Sequence, residues 1–210
     1  MIEAPDFNTI KKHKTSGSGA LCCIVLAPKF HKLGYDGIIS RSDYLDERSK
    51  ESIHFYCVGY GAYWNNEYAP DMEPLSISKE IPWCFSQRFF ARFVDDMEQE
   101  TNWRYRGGTE LIVLNPEVDF SDCVIFNLDN MIRDNVILHA GEMIELLIQH
   151  ARVCNDFHSL SAKKCRQYMA HAAKDGLIGI LPSALKVTLG TLVKGRHYIL
   201  KDISKRPGKV

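Results

Sequence analysis

Two short stretches of this chain gather residue types that can bind or react. The first is Tyr60-Gly61-Ala62-Tyr63-Trp64-Asn65-Asn66-Glu67, directly after the strand-like run Ile53-His54-Phe55-Tyr56-Cys57-Val58. Gly59 and Gly61 let the backbone turn sharply or approach another group closely. In an α/β protein, strand ends are where ligand sites tend to lie. Tyr60, Tyr63 and Trp64 would stack on a base or a peptide side chain, and Asn65, Asn66 and Glu67 would read a polar group. The same aromatics equally suit a loop that covers a sheet edge.

The second stretch is Trp103-Arg104-Tyr105-Arg106-Gly107-Gly108. Guanidinium groups hold phosphates and carboxylates, and interleaved aromatics suit a nucleotide or a single strand. If the segment is extended, Arg104 and Arg106 share one face. The competing reading is a solvated turn with Arg104 paired to Glu98 or Glu100, a surface pairing worth little. Gly107-Gly108 is not a phosphate loop, because the Gly-x-x-x-x-Gly-Lys-Ser/Thr pattern is absent.

Other chemistries find less support. Asp95, Asp96, Glu98 and Glu100 could bind a divalent ion or work as an acid/base pair, but they also form the wet side of an amphipathic helix. A metal nuclease would need a lysine near Glu110 on the following strand, and none stands two residues on. His54 and Cys57 are three apart in a strand and face opposite ways, which argues against a dyad. No Gly-x-Ser-x-Gly elbow is present. A thiol-redox role would fall to Cys84 beside Trp83. The seven cysteines include no Cys-x-x-Cys pair and no zinc-ligand spacing. They read as reduced, cytoplasmic thiols, and no metal or cofactor is expected.

The elements that must position these residues follow from patterning. The hydrophobic share of 45% is enough for a core. Formal net charge is zero, so nothing draws the whole chain to nucleic acid or to an anionic membrane. No apolar run reaches membrane-spanning length, and the first residues lack the apolar centre of a signal peptide. Ala20–Ala27 reads as a strand buried on both faces, Lys29–Gly37 as a loop, and Ser42–Glu51 as a short helix. Ile53–Val58 is the second strand, and Glu67–Trp83, with three prolines, is expected to be irregular. Ser86 caps a helix whose apolar face is Phe89, Phe90, Phe93, Val94 and Met97. Thr109–Leu114 and Asp122–Leu128 are joined by a short loop that favours an antiparallel hairpin. Helices follow on Met143–Ala151, Ser161–Lys174 and from Pro182 to near Gly195, then a short strand at His197–Leu200. The basic residues from Lys163 to Lys209 read as a solvated face and tail. The expected division is a flexible segment over 1–19, an α/β domain over 20–157, and a helical extension with a basic end over 158–210.

Strand, helix, strand, helix, strand, strand, helix imply a mixed sheet flanked by helices. Parallel pairing of the first three strands is expected, through right-handed crossovers. Over Ala20 to about Phe157 this order resembles the thioredoxin fold. A redox thioredoxin carries Cys-x-x-Cys after its first core strand and a cis-proline before its third. Here Cys22-Cys23 lie adjacent within the strand, and no proline precedes Thr109. The resemblance therefore implies a redox-inactive, thioredoxin-like domain. The YGAYWN segment, Tyr60–Asn65, resembles uncharacterised bacterial proteins of defence operons. That resemblance implies an interaction module in a multi-protein, antiphage defence system, with a protein partner or self-association. The alternative is a nucleotide- or nucleic-acid-processing enzyme with one site formed by residues 59–67 and 103–108.

Overall fold

The computed structural model describes residues 2–13, 20–49, 52–114, 116, 118–121, 123–156 and 196–204. The sheet is built around β2 (Leu21–Leu26), buried at every position, as a strand covered by helices on both faces must be. It pairs in parallel with β3 (Ile53–Val58) and antiparallel with β7 (Glu110–Leu114). β1 (Ile2–Ala4) adds to the far side of β3 in parallel. β8 (Cys123–Asn127) and β9 (Tyr198–Lys201) continue the other side antiparallel. The six-stranded order is β1-β3-β2-β7-β8-β9. This is an α/β fold with a mixed sheet flanked by helices.

The expected hairpin at β7 and β8 is present. The third expected strand, however, runs antiparallel to the first. Leu26 at the end of β2 lies opposite Glu110 at the start of β7. The reason lies in the connection from β3, which holds a second sheet as well as a helix. The segment expected to be irregular, Glu67–Trp83, contributes β5 (Glu73–Pro74) and the start of β6 (Trp83–Phe85), which with β4 (Tyr60–Ala62) make a three-stranded antiparallel sheet. Pro74 sits on an exposed edge strand, where a missing N–H is tolerated.

Residues 2–13 also depart from the expected flexible lead-in. Besides β1 they form α1 (Phe7–His13), whose Phe7 and Ile10 are buried. Phe7 meets Phe93 edge-on at 5.7 Å. Three strand residues and a short helix carry too little periodicity to be read in isolation. The expected loop at 29–37 contains α2 (Lys32–Gly37), which precedes α3 (Ser42–Ser49). Its two glycines argue against a helix by propensity. Packing overrides this: Gly34 lies against Thr109 and Ala27, and Gly37 against Ala140, where side chains would collide.

α4 (Gln87–Glu100) has the predicted apolar face, with Phe89, Phe90, Phe93 and Met97 buried. The Ser86 hydroxyl accepts from Phe89 N at 3.1 Å and donates to Asp71 at 2.7 Å. After β8 come α5 (Leu128–Arg133) and α6 (Ala140–Asp156), a C-terminal helix whose Met143, Ile144, Leu147, Ile148 and Ala151 are buried. The expected helices at 161–174 and 182–195 lie outside the described residues. Among the described residues, no helix is long and apolar enough to cross a membrane.

Ser86→Ala should lower stability by about 1 kcal/mol, read as a shifted urea midpoint with an unchanged slope. An unaltered midpoint would show that the cap contributes nothing.

Candidate functional site

The glycine-bounded aromatic turn is divided between core and solvent. Tyr60 is 0% exposed. Its hydroxyl donates to Ala27 O at 2.7 Å, and its ring meets Phe85 at 4.8 Å. It therefore cannot stack on a ligand. Trp64 lies flat over Gly61, where no Cβ would fit. Its Nε1 donates to Glu3 at 2.9 Å, and its ring meets Phe89 edge-on at 5.0 Å. Asn65 Oδ1 accepts from Tyr68 N at 2.9 Å, closing a local turn. Tyr63, at a positive φ of 59° and 72% exposed, points to water. Asn66 and Glu67 are exposed as well. The loop seals β1 and α4.

Arg104 and Arg106 are exposed and alternate with the inward Trp103 and Tyr105. Arg104 is engaged locally: its Nη1 donates to the carbonyls of Glu98 at 2.8 Å, Thr101 at 3.2 Å and Trp103 at 2.6 Å. Both arginines line a cleft of about 390 Å³, shared with Glu110, Asn127, Arg196 and Tyr198. None of residues 60–67 lines it. The two segments do not form the single site envisaged for an enzyme. They sit beside neighbouring aromatics of α4, Trp64 against Phe89 and Tyr105 against Phe90.

Glu110 is the carboxyl group of this cleft and is only 3% exposed. Trp103 Nε1 donates to it at 3.3 Å, and the Arg106 backbone N–H donates as well. Burial nevertheless prevails and pushes its pKa from 4.5 up to about 7. A lone charge in an apolar strand was the sequence signal for it. The far wall is supplied by Arg196 and His197, which the sequence leaves unconnected. Asp134 pairs with both, His197 Nε2 at 2.7 Å. Arg196 first, then His197, holds the Asp134 carboxyl down at about 2.

At the end of β2 lies a cluster shaped like a catalytic triad. His31 Nδ1 is 3.2 Å from Thr109 Oγ1, and His31 Nε2 is 3.1 Å from Asp129 Oδ1. Thr109 is 0% exposed, walled in by Gly34, so no substrate can reach its hydroxyl. Asp129 Oδ2 accepts the Thr109 backbone N–H at 2.6 Å. It occupies the space a side chain at Gly108 would need, where φ is +81°. The cluster is a structural knot, invisible to motif reading because its members are 20 and 78 residues apart.

Cys22, Cys23, Cys57, Cys84 and Cys123 are in no disulfide and are buried. Burial raises the thiols of Cys22, Cys23 and Cys84, and that of Cys57 to about 12. Cys84 Sγ lies 3.4 Å from Gly61 O, so none of these four is an activated nucleophile. Among the described residues no cluster of His, Cys, Asp or Glu could hold a metal. The acidic residues of α4 serve contacts: Glu98 accepts from Tyr105 N at 2.7 Å, and Glu100 pairs with Lys11. Comparison with family models, curated proteins and solved structures finds no match to this chain.

Because the folded state disfavours ionised Glu110, its contribution to stability is full below pH 4.5 and falls as pH rises to about 7. The loss amounts to about 3 kcal/mol. Glu110→Gln keeps an acceptor for Trp103, so it should flatten the stability profile between pH 5 and 8 and stabilise the protein at the upper end. Parallel wild-type and variant profiles would refute this. Asp129→Ala strands the Thr109 N–H and should cost about 2–3 kcal/mol in a thermal or urea melt. A loss below half a kcal/mol would show the knot to be dispensable.

Proposed function

We propose that this chain is a redox-inactive, thioredoxin-like interaction module of a bacterial multi-protein system. Three features support the reading. A mixed sheet centred on β2 is compatible with the element order that suggested the thioredoxin fold, with β7 antiparallel to β2 rather than parallel as expected. The five described cysteines that form no disulfide are buried. The third feature carries the proposal: the segment that follows the central strand β2, Lys29-Phe30-His31-Lys32, holds no cysteine. There His31 is held by Thr109 and Asp129.

That end of the sheet keeps a surface for docking. Phe30 is 73% exposed immediately beside the knot. Aromatics in such places are frequent anchors for a protein partner. Zero net charge makes a protein partner or a second copy a better match than nucleic acid. The YGAYWN resemblance adds a cytoplasmic defence system as the setting. Its Tyr60 and Trp64 would act there as packing residues, and Tyr63 as a residue presented to solvent.

Two measurements test the proposal together. Native thiol labelling at neutral pH should be slow at the five buried cysteines, and disulfide-exchange activity should be absent. Co-purification with products of neighbouring genes, or size-exclusion chromatography, should show a complex or a dimer that Phe30→Asp weakens. A fast-reacting thiol with reductase activity, or a chain that stays alone with every neighbour, would overturn it.

A further inference from the structure

We propose that the cleft lined by Arg106, Glu110 and Asn127 binds a nucleoside monophosphate. The cleft has the volume of a small-ligand pocket, about 390 Å³. Its charge is unequal, with Arg104, Arg106 and Arg196 facing the single carboxyl of Glu110. Two of these guanidiniums are engaged, Arg104 with backbone carbonyls and Arg196 with Asp134. Among the described residues the Arg106 guanidinium makes no hydrogen bond or ion pair. It is the cation there that can take an anionic group, and a phosphate suits its planar fork.

The same cleft also carries a base-reading pattern. Glu110 and Asn127 stand directly across the β7–β8 ladder, so their side chains are neighbours on one face of the sheet. Asn127 uses its carbonyl oxygen to cap Asn130 N at 2.8 Å, which leaves its amide donors for the cleft. Glu110 lines the cleft; ionised, it offers acceptors only, part of whose capacity Trp103 Nε1 and the Arg106 N–H already use. An acceptor beside a donor complements a base edge that presents an amino group next to a ring nitrogen, as cytosine and adenine do. Ile125, Tyr198 and Ile199 supply apolar surface in the same cleft, which a base or ribose can cover. The site therefore asks for a phosphate at the Arg106 guanidinium and an amino-bearing base at Glu110 and Asn127. This inference uses none of the residues that carry the redox-inactive reading, so either can fail alone.

The test is calorimetric titration of the full chain with CMP and AMP, and then with cytidine, adenosine and inorganic phosphate. At least one nucleotide should bind tenfold or more tighter than its own nucleoside and than phosphate. Arg106→Ala, at an exposed position, should abolish that preference while leaving the circular dichroism spectrum unchanged. Asn127→Asp, which keeps the cap but removes the donor, should weaken the nucleotide tenfold. No binding of either nucleotide at millimolar concentration would overturn the proposal. So would phosphate binding as tightly as the nucleotide, or nucleotide affinity indifferent to Arg106→Ala.

Discussion

One carboxylate fixes the end of the sheet where β2, β7 and α5 meet. Asp129, in the first turn of α5, accepts the Thr109 backbone N–H with one oxygen and faces His31 with the other. A helix start favours negative charge at that place. The contact gathers the end of β2, the entry to β7 and the start of α5 at a single point. Glycines on both sides make it possible. Gly108 leaves room for the carboxylate, and Gly34 lets α2 close over Thr109. His31 is thereby a strut, and Thr109 has no open side.

The consequences run outward along β7. With Thr109 tied down, Glu110 is the first residue of the strand and opposes Asn127. Its carboxyl is drawn under Trp103 rather than released to water. The ion pairs of Asp134 with Arg196 and His197 then fasten the returning chain beside it. The cleft exists because these segments, far apart in sequence, share the β7–β8–β9 edge of the sheet. The buried carboxyl is costly by itself. Its hydrogen bond to Trp103 and the nearby Arg106 offset part of that cost.

The small second sheet explains the aromatic turn. β4 pairs with β6, which sets Tyr60 opposite Phe85. Tyr60 then reaches Ala27 at the end of β2 and links the two sheets with one buried hydroxyl contact. Trp64 finishes the seal over Gly61 and meets Glu3. A run that looks like a binding loop is largely a cover, and its exposed remainder is Tyr63, Asn65, Asn66 and Glu67.

By itself the sequence determined the long periodic elements: the continuous apolar run of β2, the phenylalanine stripe and serine cap of α4, the β7–β8 hairpin, and the apolar face of α6. Each reports its own environment through local spacing, so a window of the chain is enough to read it. The tertiary structure alone decided what short or glycine-bearing segments do. β1 and α2 exist because neighbours pack on Ala4, Gly34 and Gly37, against their own weak propensity. The sense of β7 depended on the excursion through the second sheet. The inward turn of Tyr60 needed an acceptor at Ala27. The meeting of Glu110 with Asn127, and of Asp129 with His31, depended on strand register and chain return. No spacing rule encodes contacts between such distant positions, because they are set by how whole elements stack.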